Sequence, residues 1–360
     1  MGEKRKIGIL TSGGDCAGLN AVIRAVTLRA TGLGWEVLGL QEATNGLLSR
    51  PPRAVPLDIN HVENILTWGG TTLGTTNKGD PFAFPMGDGT VIDRSPEMIE
   101  GYYQLGLSAL IGVGGDGSLA ILRKLAQQGG WNLVGIPKTI DNDVGATERS
   151  IGFDTAVNIA TEALDRLHFT AASHNRIMIV EVMGRDAGHI AMSAGIAGGA
   201  DIILIPEIPY KLEHLARKIQ ANQARGKNYS LIVVAEAVRT EQGEAMTLTN
   251  SLGQCRLAGI GQYLSERLCN ELGAETRVTA LGHTQRGGTP SPLDRLTGSA
   301  FGVAAVDLIA EGKYDHMVTW QQRQVLSVPI AEAIKTYATV DLDGPLVKTA
   351  RGLGICLGDT

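Results

Sequence analysis

The stretch KIGILTSGGDCAGLNAVIR, Lys6 to Arg24, joins an apolar run, a loop with two adjacent glycines and an aspartate, and a run of apolar residues at helical spacing. An apolar run without polar alternation reads as a strand covered on both faces, the kind found in parallel sheets. The loop TSGGD, Thr11 to Asp15, would then open a helix, where backbone N–H groups point outward and glycines let an anion come close. Gly13 and Gly14 make it a candidate phosphate cradle. A plain tight turn is the competing explanation, since the loop has neither the G-x-G-x-x-G spacing nor a Walker lysine.

The same pattern continues outward. KIGIL, LSALIGVGG, NLVGIP, RIMIVEVMG, DIILIP, YSLIVVAEA and TRVTALG are strand-like, and most are apolar throughout. Helical runs lie between them, among them GSLAILRKLAQQG and YKLEHLARKIQANQARG, several ending at glycine. Strand and helix in alternation predict parallel sheets with crossover helices. The alternation pauses at ERSIGFDTAVNIATEALDRL, which places a domain boundary near Ser150. The later helix LDRLTGSAFGVAAVDLIAEG is able to return to the first domain. A length of 360 residues fits two domains at ~150 residues each.

Composition narrows the class. The chain is 43% hydrophobic and 19% charged, with no long run of one charge sign, so it reads as a soluble globular protein. No apolar run approaches the ~20 residues a bilayer needs, and MGEKRKIGIL turns polar too early for a signal peptide, so the expected location is the cytoplasm. Cys16, Cys255, Cys269 and Cys356 form no C-x-x-C pair, which argues against disulfides and structural zinc. A net charge of −5 disfavours nucleic acid and requires any bound anion to be met by locally gathered cations.

Two further motifs stand at predicted strand ends. GVGGDGSLAIL carries Asp116 between Gly115 and Gly117, with Ser118 where a helix N-cap belongs. A capped turn would not need so many glycines beside an acid, whereas a nucleotide phosphate with a magnesium ligand would use them all. In GIPKTIDND, extended backbone would send Thr139, Asp141 and Asp143 to one face and Lys138 elsewhere. DND in isolation reads as a common polar turn, but after a buried-type strand and beside two glycine-rich loops the hydroxyl and two carboxylates suit a catalytic base with a metal or water partner. Among the cations, Arg185 and His283 with Arg286 end predicted strands, and arginine forks match phosphate oxygens. Arg176 and Arg277 begin the same strands, so a neighbouring subunit is the natural recipient of that pair.

Taken in order, LTSGGDCAGLNAVIR, GGDGS, PKTIDND, VEVMGRDAGHIA, AEA and GHTQRGGTPSPLDR resemble the signature of the 6-phosphofructokinase family, from Thr11 to Arg295. The resemblance implies two similar three-layer α/β domains with largely parallel sheets and an active site in the cleft between them. The larger, donor domain would take residues 1–150 and about 287–335, the smaller, sugar-phosphate domain 151–286 and about 336–360. The reaction implied is transfer of a phosphoryl group to the 1-hydroxyl of fructose 6-phosphate, with Mg2+. Asp141 would be the base, with Thr139 and Asp143 beside it, Asp116 the metal ligand, and Arg185 the stabiliser of the transferring group. Donor contacts would come from Gly13, Gly14, Asn77, Lys78, Gly115, Asp116, Gly117 and Ser118. The sugar phosphate would meet Thr139, Ile140, Asp141, Met183, Gly184, Arg185, Glu236, His283, Thr284, Gln285 and Arg286, with Arg176 and Arg277 from the next subunit of a homo-oligomer, a tetramer before a dimer.

The family contains ATP-dependent and pyrophosphate-dependent enzymes, and two positions bear on the donor. Pyrophosphate users resemble GGDD where this chain has GGDG, and Gly117 leaves the α-phosphate space open. They also carry lysine in PKTIDND, as Lys138 does here, a mixture that resembles the family's mixed-substrate subgroup. A fixed carboxylate obstructs directly while a flexible lysine turns aside, so ATP is the expected donor and pyrophosphate the alternative. Asn77 stands where typical bacterial ATP enzymes have arginine, Leu28 leaves an effector site of their type incomplete, and Ala17 replaces the usual proline. Lipid and NAD kinases share a GGDG loop but not PKTIDND with MGRDAGH, and a non-catalytic sugar-phosphate binder would have no need of Asp141.

Overall fold

The computed structural model describes residues 5–77, 79–249 and 255–360. They divide into two compact units. The larger takes the chain as far as Asp154 and again over Arg286–Ala338; the smaller takes Thr155–Gln285 and Thr339–Thr360.

In chain order the larger unit contributes β1 (Lys6–Thr11), β2 (Glu36–Leu40), β3 (Ala54–Leu57), a short hairpin β4 (Phe84–Pro85) and β5 (Val91–Ile92), β6 (Ala109–Gly114) and β7 (Leu133–Pro137). The smaller contributes β8 (Ile177–Val182), β9 (Ile202–Leu204), β10 (Ser230–Ala235), a hairpin β11 (Thr247–Thr249) and β12 (Cys255–Leu257), and β13 (Thr276–Ala280). The chain then returns to the larger unit with β14 (His316–Gln321) and β15 (Gln324–Pro329).

The larger sheet runs β15-β14-β7-β6-β1-β2-β3. Its five inner strands are parallel, and β3 and β15 close the edges antiparallel. Burial matches the apolar pattern, since every residue of β6 and β7, and all of β1 after Lys6, is buried. Helix Asp116–Gly129 covers β6 and β7 with Leu119, Leu122 and Leu125, joining a core with Leu10, Leu110, Leu133 and Met317. The smaller sheet, β13-β8-β10-β9, is parallel throughout. TRVTALG, a run with polar residues in it, differs from the others: β13 is an edge strand with exposed or half-buried positions throughout. Among the described residues no helix is long and apolar enough to cross a membrane.

The helix Pro292–Ala310 lies on helix Leu19–Gly32 in the larger unit, and glycines set their closeness. A Cβ on Gly302 would stand 2.7 Å from Ala25 Cβ and 3.0 Å from Val22 O, and one on Gly298 3.1 Å from Gly18 O. Overpacking of this kind costs about 1–3 kcal/mol. Gly302→Leu is therefore expected to lower the thermal midpoint by roughly 2–10 °C; an unchanged calorimetric midpoint would show that the helices separate freely.

Candidate active site

Parallel pairing gathers three loops of the larger unit at one sheet edge, because β1, β6 and β7 are neighbours with their carboxyl ends on the same side. The chain also reverses its direction of travel here, with β2 on one side of β1 and β6 on the other, the position at which ligands of open α/β sheets bind. Ser12 N–H extends the ladder to Val113 O at 2.9 Å, and Gly13 turns away with φ +84°. Gly13 N–H donates to Thr76 O at 2.9 Å, and Thr75 Oγ1 donates to Gly13 O at 2.7 Å. A Cβ on Gly13 would lie 3.1 Å from Ser118 Oγ and 3.3 Å from Lys138 Nζ, so the three loops meet at this residue. Asn77 is exposed, and Lys78 lies outside the described residues.

Ser118 is not the N-cap expected of it. Gly115, with extended backbone, takes the cap position, the helix begins at Asp116, and the Ser118 hydroxyl turns toward the first loop instead. Asp116 stands in the first turn, where the helix dipole favours an anion. Gly117 is exposed, and a Cβ there would have nothing within 4 Å.

The PKTIDND segment also departs from expectation. Alternation along an extended chain ends at Lys138, because Ile140 and Asp141 form a turn and Asn142 adopts φ +53°. Side chains hold this turn. Thr139 Oγ1 accepts from Asp141 N–H at 3.1 Å, Ser150 Oγ donates to Thr139 O at 2.8 Å, and Asn142 Oδ1 accepts from Ser150 N–H at 2.9 Å. Asp141 and Asp143 are nonetheless buried, at 7% and 4% exposure, with Ile140 buried and Thr139 half-buried. Lys138 does not turn aside. It is 4% exposed and its Nζ donates to Gly14 O at 2.6 Å, and burial holds its pKa below the ordinary lysine value. Neither Asn142, which lies inside PKTIDND between the two carboxylates, nor Ser150, at the expected domain boundary, was among the candidate residues.

Among the described residues no group of three or more His, Cys, Asp and Glu could by itself hold a metal ion. Magnesium seldom uses an all-protein cage and is bound by one or two carboxylates with substrate phosphates and water, so a lone Asp116 at a helix start fits it.

In the smaller unit a cavity of about 780 Å3 opens at the carboxyl ends of β8, β10 and β13. Met183, Arg185, Glu236 and His283 line it, together with Glu181, Gln262, Leu248 and Leu257, which sequence reasoning passed over. Glu181 is buried and accepts from Gly259 N–H at 3.1 Å and Gly261 N–H at 2.8 Å, fixing the start of helix Ile260–Leu272 at the cavity wall. Gly184, Thr284 and Gln285 are not among the lining residues; Thr284 and Gln285 bond back into their own turn, to Leu281 O at 2.6 Å and Gly282 O at 3.1 Å.

Two sequence groupings come apart. Arg286 belongs to the larger unit, where its Nη1 donates to Asp15 O at 3.1 Å and would meet a Cβ on Gly14 at 2.7 Å. Arg176 and Arg277 sit at the amino ends of β8 and β13, at the sheet edge opposite Arg185 and His283. Glu275 holds both, pairing with Arg176 at 2.9 Å and with Arg277, and the Arg176 guanidinium keeps its carboxyl below the usual range.

The family model described as Phosphofructokinase matches residues 6–309. The chain belongs to the phosphofructokinase family. It is 69% identical, over the full length of both chains, to the ATP-dependent 6-phosphofructokinase 1 of Synechocystis sp., and 68% identical, again end to end, to the protein of the same name from Nostoc sp.. Among solved structures it is similar to Pichia pastoris phosphofructokinase in the T-state, with a TM-score of 0.81 and 29% identity over 93% of this chain; it spans 36% of that longer one. The family's motifs thus fall on the two sets of strand-end loops described above.

Asn142 supplies both the left-handed backbone and the hydrogen bond that close the Asp141 turn. Asn142→Ala is expected to cost roughly 1–3 kcal/mol in urea unfolding, combining αL strain with a lost bond. Asn142→Gly should recover the backbone part; equal losses in both variants would place the whole effect in the side chain.

Proposed function

We propose that this phosphofructokinase transfers the terminal phosphoryl group of ATP to the 1-hydroxyl of fructose 6-phosphate, giving fructose 1,6-bisphosphate and ADP, as a glycolytic enzyme of the cytoplasm. The observation that carries this reading is Asp141, a carboxylate at 7% exposure at a strand end beside two glycine-rich loops able to receive phosphates. ATP as donor is supported by the end-to-end likeness to proteins named ATP-dependent, and by the open space at Gly117.

Each residue then has a role. Asp141 takes the proton of the 1-hydroxyl as the oxygen attacks, with Thr139, Ile140 and Asp143 shaping its surroundings. Gly13, Gly14 and Gly115 let main-chain N–H groups approach the donor phosphates, and Gly117, Ser118, Asn77 and Lys78 serve the same donor. Asp116 would hold Mg2+ together with those phosphates, and the bound ion neutralises their charge. Arg185 stabilises the charge of the transferring group. Met183, Gly184, Glu236, His283, Thr284, Gln285 and Arg286 serve the sugar phosphate. Arg176 and Arg277 serve the sugar phosphate of a neighbouring copy in a homotetramer, a reading supported by their place at the strand ends opposite Arg185 and His283.

Purified protein supplied with fructose 6-phosphate and magnesium is expected to form the bisphosphate with ATP and not with pyrophosphate; turnover with pyrophosphate alone would reverse the donor. Asp141→Asn should lower kcat about 100- to 10,000-fold while sugar-phosphate binding survives. Unchanged turnover would remove Asp141 from the chemistry.

Gly117→Asp tests the donor argument with little disturbance of the fold, since a Cβ there has nothing within 4 Å. It should raise KM for ATP at least tenfold and leave the thermal midpoint in place. An unaltered KM would show that an acid at this position does not obstruct the nucleotide.

A further inference from the structure

The larger unit treats the two sides of the loop peptides after Gly13 differently. Lys138 Nζ donates to Gly14 O at 2.6 Å, and Arg286 Nη1 donates to Asp15 O at 3.1 Å. Among the described residues, nothing accepts from the N–H groups of Gly14, Asp15 or Cys16. Cations therefore occupy the carbonyl side while the N–H side is unspent, the arrangement of a backbone anion nest.

A carbonyl and the N–H of the next residue share one conjugated unit. A cation on the oxygen draws density from the nitrogen and makes that N–H a stronger donor, as in any polarised hydrogen-bond chain. The ammonium on Gly14 O thus acts on Asp15 N–H, and the guanidinium on Asp15 O acts on Cys16 N–H. Lys138 is enclosed while it does so. It is 4% exposed, the carboxylates of Asp15 and Asp141 favour its charge, and Arg286 opposes it.

We propose that Lys138 is a positioning residue of the donor loop: its buried ammonium holds and charges the Gly14–Asp15 peptide from behind, so that the loop meets phosphate oxygens with a polarised N–H, and Lys138 itself does not touch the donor. The proposal deepens the donor-binding reading of TSGGD given above and rests on it. It also changes what a lysine in PKTIDND means for this chain, since this ammonium serves the cradle and not the choice between ATP and pyrophosphate.

The test compares Lys138→Met with the unaltered full-length protein. For the variant, kcat/KM for ATP should fall at least tenfold and KM for fructose 6-phosphate should stay within twofold. In protein without any substrate, labelled with 13C-carbonyl glycine and 15N-aspartate, the Asp15 amide proton should move upfield; its signal is assigned by its loss in Asp15→Asn. If Lys138→Met does not fold, Lys138→Gln, which keeps a donor but no charge, is read the same way. Unchanged ATP kinetics would overturn the proposal. So would lost ATP affinity with an unmoved Asp15 amide in the substrate-free protein, the signature of direct donor contact. Absence of turnover in the unaltered protein would reject the proposed reaction, while the amide shift, needing no substrate, would still decide the role of Lys138.

Discussion

Parallel pairing of β1, β6 and β7 is the constraint on which the larger unit's site depends. Strands hydrogen-bonded in parallel cannot send their carboxyl ends to opposite edges, so TSGGD, GGDGS and PKTIDND emerge together although more than a hundred residues separate the first from the last. The strands themselves are buried, which leaves chemistry to the loops that leave them. The same rule applied to β13, β8 and β10 brings His283, Arg185 and Glu236 to one cavity and consigns Arg277 and Arg176 to the other edge.

Much of this was legible because buried parallel strands are apolar throughout and strand-end glycines mark the loops. KIGIL, NLVGIP and YSLIVVAEA needed no partner to be recognised. What escaped was set by contacts distant in sequence. The edge strand TRVTA carries Arg277 and two threonines among its five residues, and its place in the sheet leaves them exposed or half-buried. The turn at Asp141 depends on Ser150 and Asn142, and periodicity says nothing of a residue at positive φ. Lys138 reaches a carbonyl 124 residues away, and Arg286 one 271 residues away, so neither orientation follows from local spacing. Glu275 was passed over because a glutamate two residues from an arginine is ordinary on a strand surface.

Lys138 raises a question that stability alone does not answer. Taking an ammonium out of water carries a desolvation cost that its neighbours must offset. Its folded pKa is depressed by burial, so between that lowered value and the ordinary 10.5 the unfolded chain binds the extra proton and stability rises with pH. Below that window the ammonium works against the folded state. A group kept at such a cost is expected where activity and stability conflict. Gly14 O gives that cost a purpose, because a charge placed behind a peptide strengthens its N–H without filling the space an anion needs. A lysine extended into the loop would supply the same charge and take up that space.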